Sequence, residues 1–123
     1  MEFVTFEIAK KLKEKGFREK CMWHYYDDTK DIYKSSSPQC YNYGGNTSDA
    51  PTISQVLKWL RDEKDIFIEI TVDVNDKFNY YFGIYKKGND TWEYIGQNDT
   101  YDYFEMYEEA ALAGVKYTLD NLI

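Results

Sequence analysis

Several residues that staple or arm small proteins are scarce in this sequence. There are two cysteines and one histidine in 123 positions. Two cysteines form at most one bridge, which excludes a disulfide-framed scaffold, and a chain of this length can bury enough surface to fold without one. A single histidine excludes sites built from paired histidines. No apolar run approaches the roughly 20 residues of a membrane helix. The opening MEFVTFEIAKKLKEKGF is charged and amphipathic, unlike a signal peptide. These absences predict a cytoplasmic protein with reduced thiols, in which the N-x-S/T matches at Asn46, Asn89 and Asn98 are chance. Cations are also scarce: 15 Lys and Arg face 22 Asp and Glu, a net charge of −7. A field of that sign repels phosphate backbones and disfavours direct nucleic-acid binding.

Aromatic residues are abundant, at 19% with 13 tyrosines. Tyrosine has an apolar body and a wet tip, which suits strands with one buried and one exposed face. The charge is uneven. Residues 1–64 carry 11 basic and 10 acidic side chains, whereas residues 65–123 carry 4 and 12. Such an acidic half serves solubility and can attract a basic partner.

The chain reads as a single domain, 1–123. Thr5 can cap a first helix over 5–15, with Ile8 and Leu12 on one face and Gly16 as its left-handed stop. CMWHYY at 21–26 predicts a strand, DDTKD a turn, and IYK at 32–34 a short return strand. Residues 35–50, SSSPQCYNYGGNTSDA, predict one long loop. In APTISQVLKWLRDEK, Thr52 and Gln55 form a capping box for a helix over 53–64, whose stripe is Ile53, Val56, Leu57 and Leu60. IFIEITVDV alternates over 66–74, placing Ile66, Ile68, Ile70, Val72 and Val74 on one face. FNYYFGIYK and TWEYI complete a three-stranded meander. A stripe from Tyr107 to Leu122 predicts a final helix covering the sheet, with Met106 a poor cap. The predicted class is α+β, a single layer of mostly antiparallel sheet made of the meander and an N-terminal hairpin, with three helices in the order α-β-β-α-β-β-β-α.

Candidate chemistry is thin. Cys21 and His24 make C-x-x-H, with Cys40 as a third group, but a strand turns positions three apart to opposite faces. Zinc sites ordinarily close with four ligands in two close pairs. A Cys–His nucleophile pair meets the same objection. Glu69 and Asp73 share a strand face but stand about 13 Å apart along it, too far for paired carboxylate chemistry. DVNDKF lacks the glycine and closing glutamate of a calcium loop, and GGN at 44–46 is no phosphate loop. No metal, cofactor or catalytic residue is expected. The stretch that stands out is 98–105, where Asp99, Tyr101, Asp102, Tyr103, Phe104 and Glu105 combine rings and carboxylates. Exposed rings framed by acids can anchor a partner, although aromatic side chains more often find burial.

Four stretches carry a resemblance. Phe3–Phe17, the helix Pro51–Arg61, the alternating Ile66–Val74 and the closing Tyr107–Leu122 resemble small proteins of gut Bacteroides genomes and their prophages. The match touches both ends and the middle of the chain. It implies a bacterial or phage cytosolic setting and no particular activity. The sequence thus points to a non-enzymatic accessory or partner-binding protein of phage or mobile-element origin, binding a basic protein through loop 98–105 and the outer residues of the meander. Two other readings are an acidic nucleic-acid mimic that inhibits a host enzyme and a small enzyme with an unrecognised site.

Overall fold

The computed structural model describes residues 3–73, 79–97 and 104–123. In chain order the elements are α1 (Phe6–Glu14), β1 (Cys21–Tyr26), β2 (Ile32–Gln39), β3 (Thr47–Ala50), α2 (Ile53–Lys64), β4 (Ile66–Asp73), β5 (Asn79–Lys87), β6 (Trp92–Gln97) and α3 (Tyr107–Asn121). The α+β class, the three helices and the antiparallel pairing are as expected. The strands form two three-stranded sheets, ordered β2-β1-β3 and β4-β5-β6. The chain divides into two compact units, Met1–Gln55 and Val56–Ile123. Among the described residues no helix is long and apolar enough to cross a membrane.

In the N-terminal unit α1 begins where Thr5 Oγ1 accepts the Ile8 amide at 3.4 Å. It ends in a Schellman motif. Gly16 adopts φ +89°, the Phe17 amide bonds the Leu12 carbonyl at 2.9 Å, and the Gly16 amide bonds the Lys13 carbonyl at 3.3 Å. Leu12 and Phe17 are both fully buried, the apolar contact that accompanies such an ending.

Residues 35–50 are not one loop. β2 continues to Gln39, Thr47–Ala50 forms β3, and only residues 40–46 remain as connection. The cause is a wide bulge. Trp23 pairs with Lys34 and Cys21 with Gln39, so residues 35–38 stand opposite Met22 alone. Serines and a proline in a bulge look like loop composition. β3 is equally unreadable by hydropathy, because its buried residues include Ser48 and Asp49.

The capping box of α2 is formed as expected. The Gln55 amide donates to Thr52 Oγ1 at 3.2 Å, and the Thr52 amide donates to Gln55 Oε1 at 2.8 Å. Its buried side chains are Ile53, Val56, Trp59 and Leu60; Leu57 is half-buried, so the stripe is rotated toward Trp59 relative to the expectation.

In the C-terminal unit β4 and β5 pair without interruption from Ile66↔Lys86 to Asp73↔Asn79. β5 and β6 pair with one irregularity: Ile84 faces Gly96 and Tyr85 faces Tyr94, leaving Ile95 as the extra residue. Helix α3 packs on β4 and β5. It lies close because Gly114 sits over the sheet; a Cβ there would stand 3.0 Å from Ile68 Cγ2 and 3.2 Å from Phe82 Cγ. Ala110, Ala111, Val115 and Leu119 are buried with Ile66, Ile68, Phe82 and Ile84. The expected inward row of β4 holds only at its start. Ile70 is half-buried, Val72 is 39% exposed, and Val74 lies outside the described residues. At that end the cover thins to Tyr107, the first residue of α3, whose ring meets Tyr80, the partner of Val72.

Candidate functional site

Asp99, Tyr101, Asp102 and Tyr103 lie outside the described residues. Phe104 is half-buried and makes an isolated antiparallel bridge to Tyr80, with amide–carbonyl bonds of 2.7 and 2.8 Å. Its ring stands 6.5 Å from that of Phe82. Glu105 is exposed.

The meander residues that alternation assigns to the outer face do come together. On the side of the sheet opposite α3, Phe67 and Glu69 of β4, Tyr85 of β5, and Trp92 and Tyr94 of β6 are neighbours. Phe67 pairs with Tyr85 and Tyr85 with Tyr94 in the strand register. Ring centroids are 6.2 Å apart for Phe67–Tyr85, 5.9 Å for Phe67–Trp92 and 5.4 Å for Tyr85–Tyr94. The first two pairs are tilted by 45° and 50°. Trp92 is 40% and Tyr94 54% exposed. The Tyr85 hydroxyl donates to Glu69 Oε2 at 3.1 Å, and that bond, with some burial and the Glu69 charge, pushes the Tyr85 pKa above its usual value. Arg61, Phe67, Glu69, Tyr85 and Trp92 line an open cleft of about 410 Å³. Arg61 Nε stands 3.6 Å from Asp62 Oδ1.

The N-terminal unit holds a second arrangement that sequence reasoning missed. His24 is fully buried; its Nδ1 lies 2.7 Å from Asp49 Oδ1 and its Nε2 lies 3.0 Å from Ser35 Oγ. Asp49 also accepts the Tyr41 amide at 3.1 and 2.8 Å on its two oxygens. As an acceptor at Oδ1, it fixes the proton on Nδ1. The rings of Tyr33 and Tyr41 pack against the imidazole at 5.2 and 4.6 Å. The connectivity is that of nucleophile, base and orienting acid. However, Ser35 Oγ also lies 2.7 Å from the Ser37 carbonyl and 3.1 Å from that of Met22, so its single proton has other acceptors. What the cluster does is hold down residues 40–46. The Asp49 amide donates to Asn42 Oδ1 at 2.8 Å, and Asn42 Nδ2 donates to the Phe17 carbonyl at 3.0 Å. Nothing in the spacing of Ser35, Asn42 and Asp49 signals this, since all three fall in what reads as a polar loop.

Beside it, Asp27 Oδ2 takes Lys10 Nζ at 3.0 Å and Lys13 Nζ at 3.4 Å, while Ser48 Oγ donates to Oδ1 at 2.6 Å. Burial pushes this carboxyl up, but the Ser48 hydroxyl and the two ammonium groups prevail, and it is held below its usual range. Cys21 and Cys40 are free thiols. Burial, then the charges of Asp49, Cys40 and Glu19, push Cys21 to about 12, which makes it a poor nucleophile. A groove of about 330 Å³ lies on this unit, lined by Met22, Trp23, Lys34, Pro38 and Ala50 among others, with Lys34 Nζ 6.0 Å from the Trp23 ring centre. Among the described residues no three His, Cys, Asp or Glu side chains converge as a metal site.

Comparison of the chain with protein-family models, curated proteins and solved structures finds no match.

Proposed function

We propose that this chain is a non-enzymatic, partner-binding protein whose binding face is the outer surface of the β4-β5-β6 sheet, and that its partner is a basic protein. The observation that carries the reading is the contiguous set Phe67, Tyr85, Trp92 and Tyr94. α3 packs on the other face of β4 and β5, and Trp92 and Tyr94 are 40% and 54% exposed. A surface of that kind supplies large apolar area at low entropy cost, the usual make-up of an interface centre.

The sign of the partner follows from charge. Residues 56–123 contain 7 basic and 14 acidic side chains, whereas residues 1–55 contain 8 of each. The whole net charge therefore belongs to the unit that carries the aromatic face. A cationic partner is drawn to that unit before it touches it, which raises the association rate. A cytoplasmic setting and a phage or mobile-element origin complete the proposal, on the strength of the sequence resemblance.

The test is binding of a 15-residue lysine-rich peptide by calorimetry in low salt, beside the double variant Trp92→Ala/Tyr94→Ala. Electrostatics alone would survive that change, whereas an interface centred on these rings loses about tenfold or more in affinity. Equal affinity for the two proteins, with both shown folded by circular dichroism, overturns the reading.

A further inference from the structure

Resting on that reading, we propose that the cleft of Phe67, Tyr85 and Trp92 beside Glu69 receives a single cationic side chain of the partner, the ammonium of a lysine or the guanidinium of an arginine.

The first support is how this chain treats its other rings. Arg18 stands over Tyr43 at 5.3 Å, Lys30 over Phe6 at 5.5 Å, Lys34 over Trp23 at 6.0 Å and Lys64 over Trp59 at 5.4 Å. Four aromatic faces are thus capped by the chain's own cations. Among the described residues no such cation stands over Phe67, Tyr85, Trp92 or Tyr94. Trp92 and Tyr94 are 40% and 54% exposed on the more acidic unit, and a cation within about 6 Å of an aromatic face is attracted to it.

The second support is the placement of Glu69. Its carboxylate lies in the same cleft as the three rings, and the Tyr85 hydroxyl holds it at 3.1 Å. A carboxylate accepts several hydrogen bonds, so the Tyr85 contact leaves acceptor capacity for an incoming ammonium or guanidinium. Rings that strip water from the aliphatic stem and an acid that meets the charged tip together match a lysine or arginine from end to end. The open cleft of about 410 Å³ is larger than one such side chain.

The third point concerns Arg61, which lines the same cleft and bears the charge of the proposed occupant. Asp62 holds its Nε at 3.6 Å, on the helix rather than over the rings. Arg61 therefore opposes binding, and its removal makes a directional test. A merely apolar cleft would gain nothing from neutralising it.

The experiment uses the full chain with ¹⁵N label, reading the Trp92 indole resonance, assigned through Trp92→Phe. Tetramethylammonium and neopentyl alcohol, a neutral molecule of nearly the same shape, are titrated in parallel. The expected result is a saturating shift of Trp92 with the ammonium and not with the alcohol. Glu69→Gln weakens ammonium binding about fivefold and Arg61→Gln tightens it about twofold. Equal response to the two probes, no response of Trp92 to the ammonium, or indifference to both charge changes overturns the cleft assignment. The surface reading is separable. If Trp92→Ala/Tyr94→Ala still weakens the lysine peptide while the ammonium leaves Trp92 unmoved, the face stands and the cleft assignment falls. If the ammonium binds but the peptide ignores the double variant, the cation chemistry stands and the partner-binding face falls.

Discussion

His24 shows how much a single residue can hold. Its two nitrogens tie β1 to Asp49 of β3 and Ser35 of β2, and Asp49 in turn fixes the amide of Tyr41. Each buried side-chain nitrogen and oxygen of that set has a hydrogen-bond partner, and buried polar groups so paired rigidify a fold rather than weaken it. Taking away the imidazole leaves a fully buried carboxylate with one side-chain donor fewer. His24→Ala is expected to lower stability by about 3 to 5 kcal/mol, read as a drop in the urea midpoint. Sequence gave no access to this, because hydropathy patterns register apolar burial and the cluster is polar throughout. The helix caps were legible for the opposite reason. The caps at Thr5, at Gly16 and at the Thr52–Gln55 pair each join residues no more than five apart, so their chemistry is visible in the linear order.

At the scale of elements, local devices decide where the strands run. The alternation of β4 and β5 was plain from sequence, and with it the division of the meander into a helix-facing and an outer side. The contacts among Phe67, Tyr85, Trp92 and Tyr94 were not, because they depend on register, and register here includes the extra residue Ile95. The full length of β2 is not legible in the sequence, since four of its residues face Met22 alone. The close seat of α3 is a matter of one missing side chain. At Gly114 a Cβ would stand 3.0 Å from Ile68 and 3.2 Å from Phe82, which are 7% and 6% exposed and have little room to yield. Gly114→Val is expected to destabilise the fold by about 2 kcal/mol despite the general preference of helices for residues other than glycine. Thermal melting followed at 222 nm measures it.

For the whole molecule, charge sets the response to pH. Asp27 has a folded pKa below its unfolded one, so the stability it confers is present above about pH 4 and is lost as the pH falls through the folded value. Asp27→Asn should be less stable than the parent at pH 6, and the two urea midpoints should converge toward pH 2. Parallel midpoints across that range would remove Asp27 from the acid response. The same acidification neutralises carboxylates of residues 56–123 and, on the function proposed above, would weaken the pull on a basic partner. The bulge at Ile95 acts beyond one chain. β6 is one of the two edge strands of its sheet, the other being β4, and edge strands recruit other copies when they are long, straight and apolar. An inserted residue bends the strand and breaks the even spacing that a second ladder would need. Along β6, then, the exposed rings of Trp92 and Tyr94 stand beside a border whose broken spacing discourages a second copy from docking edge to edge.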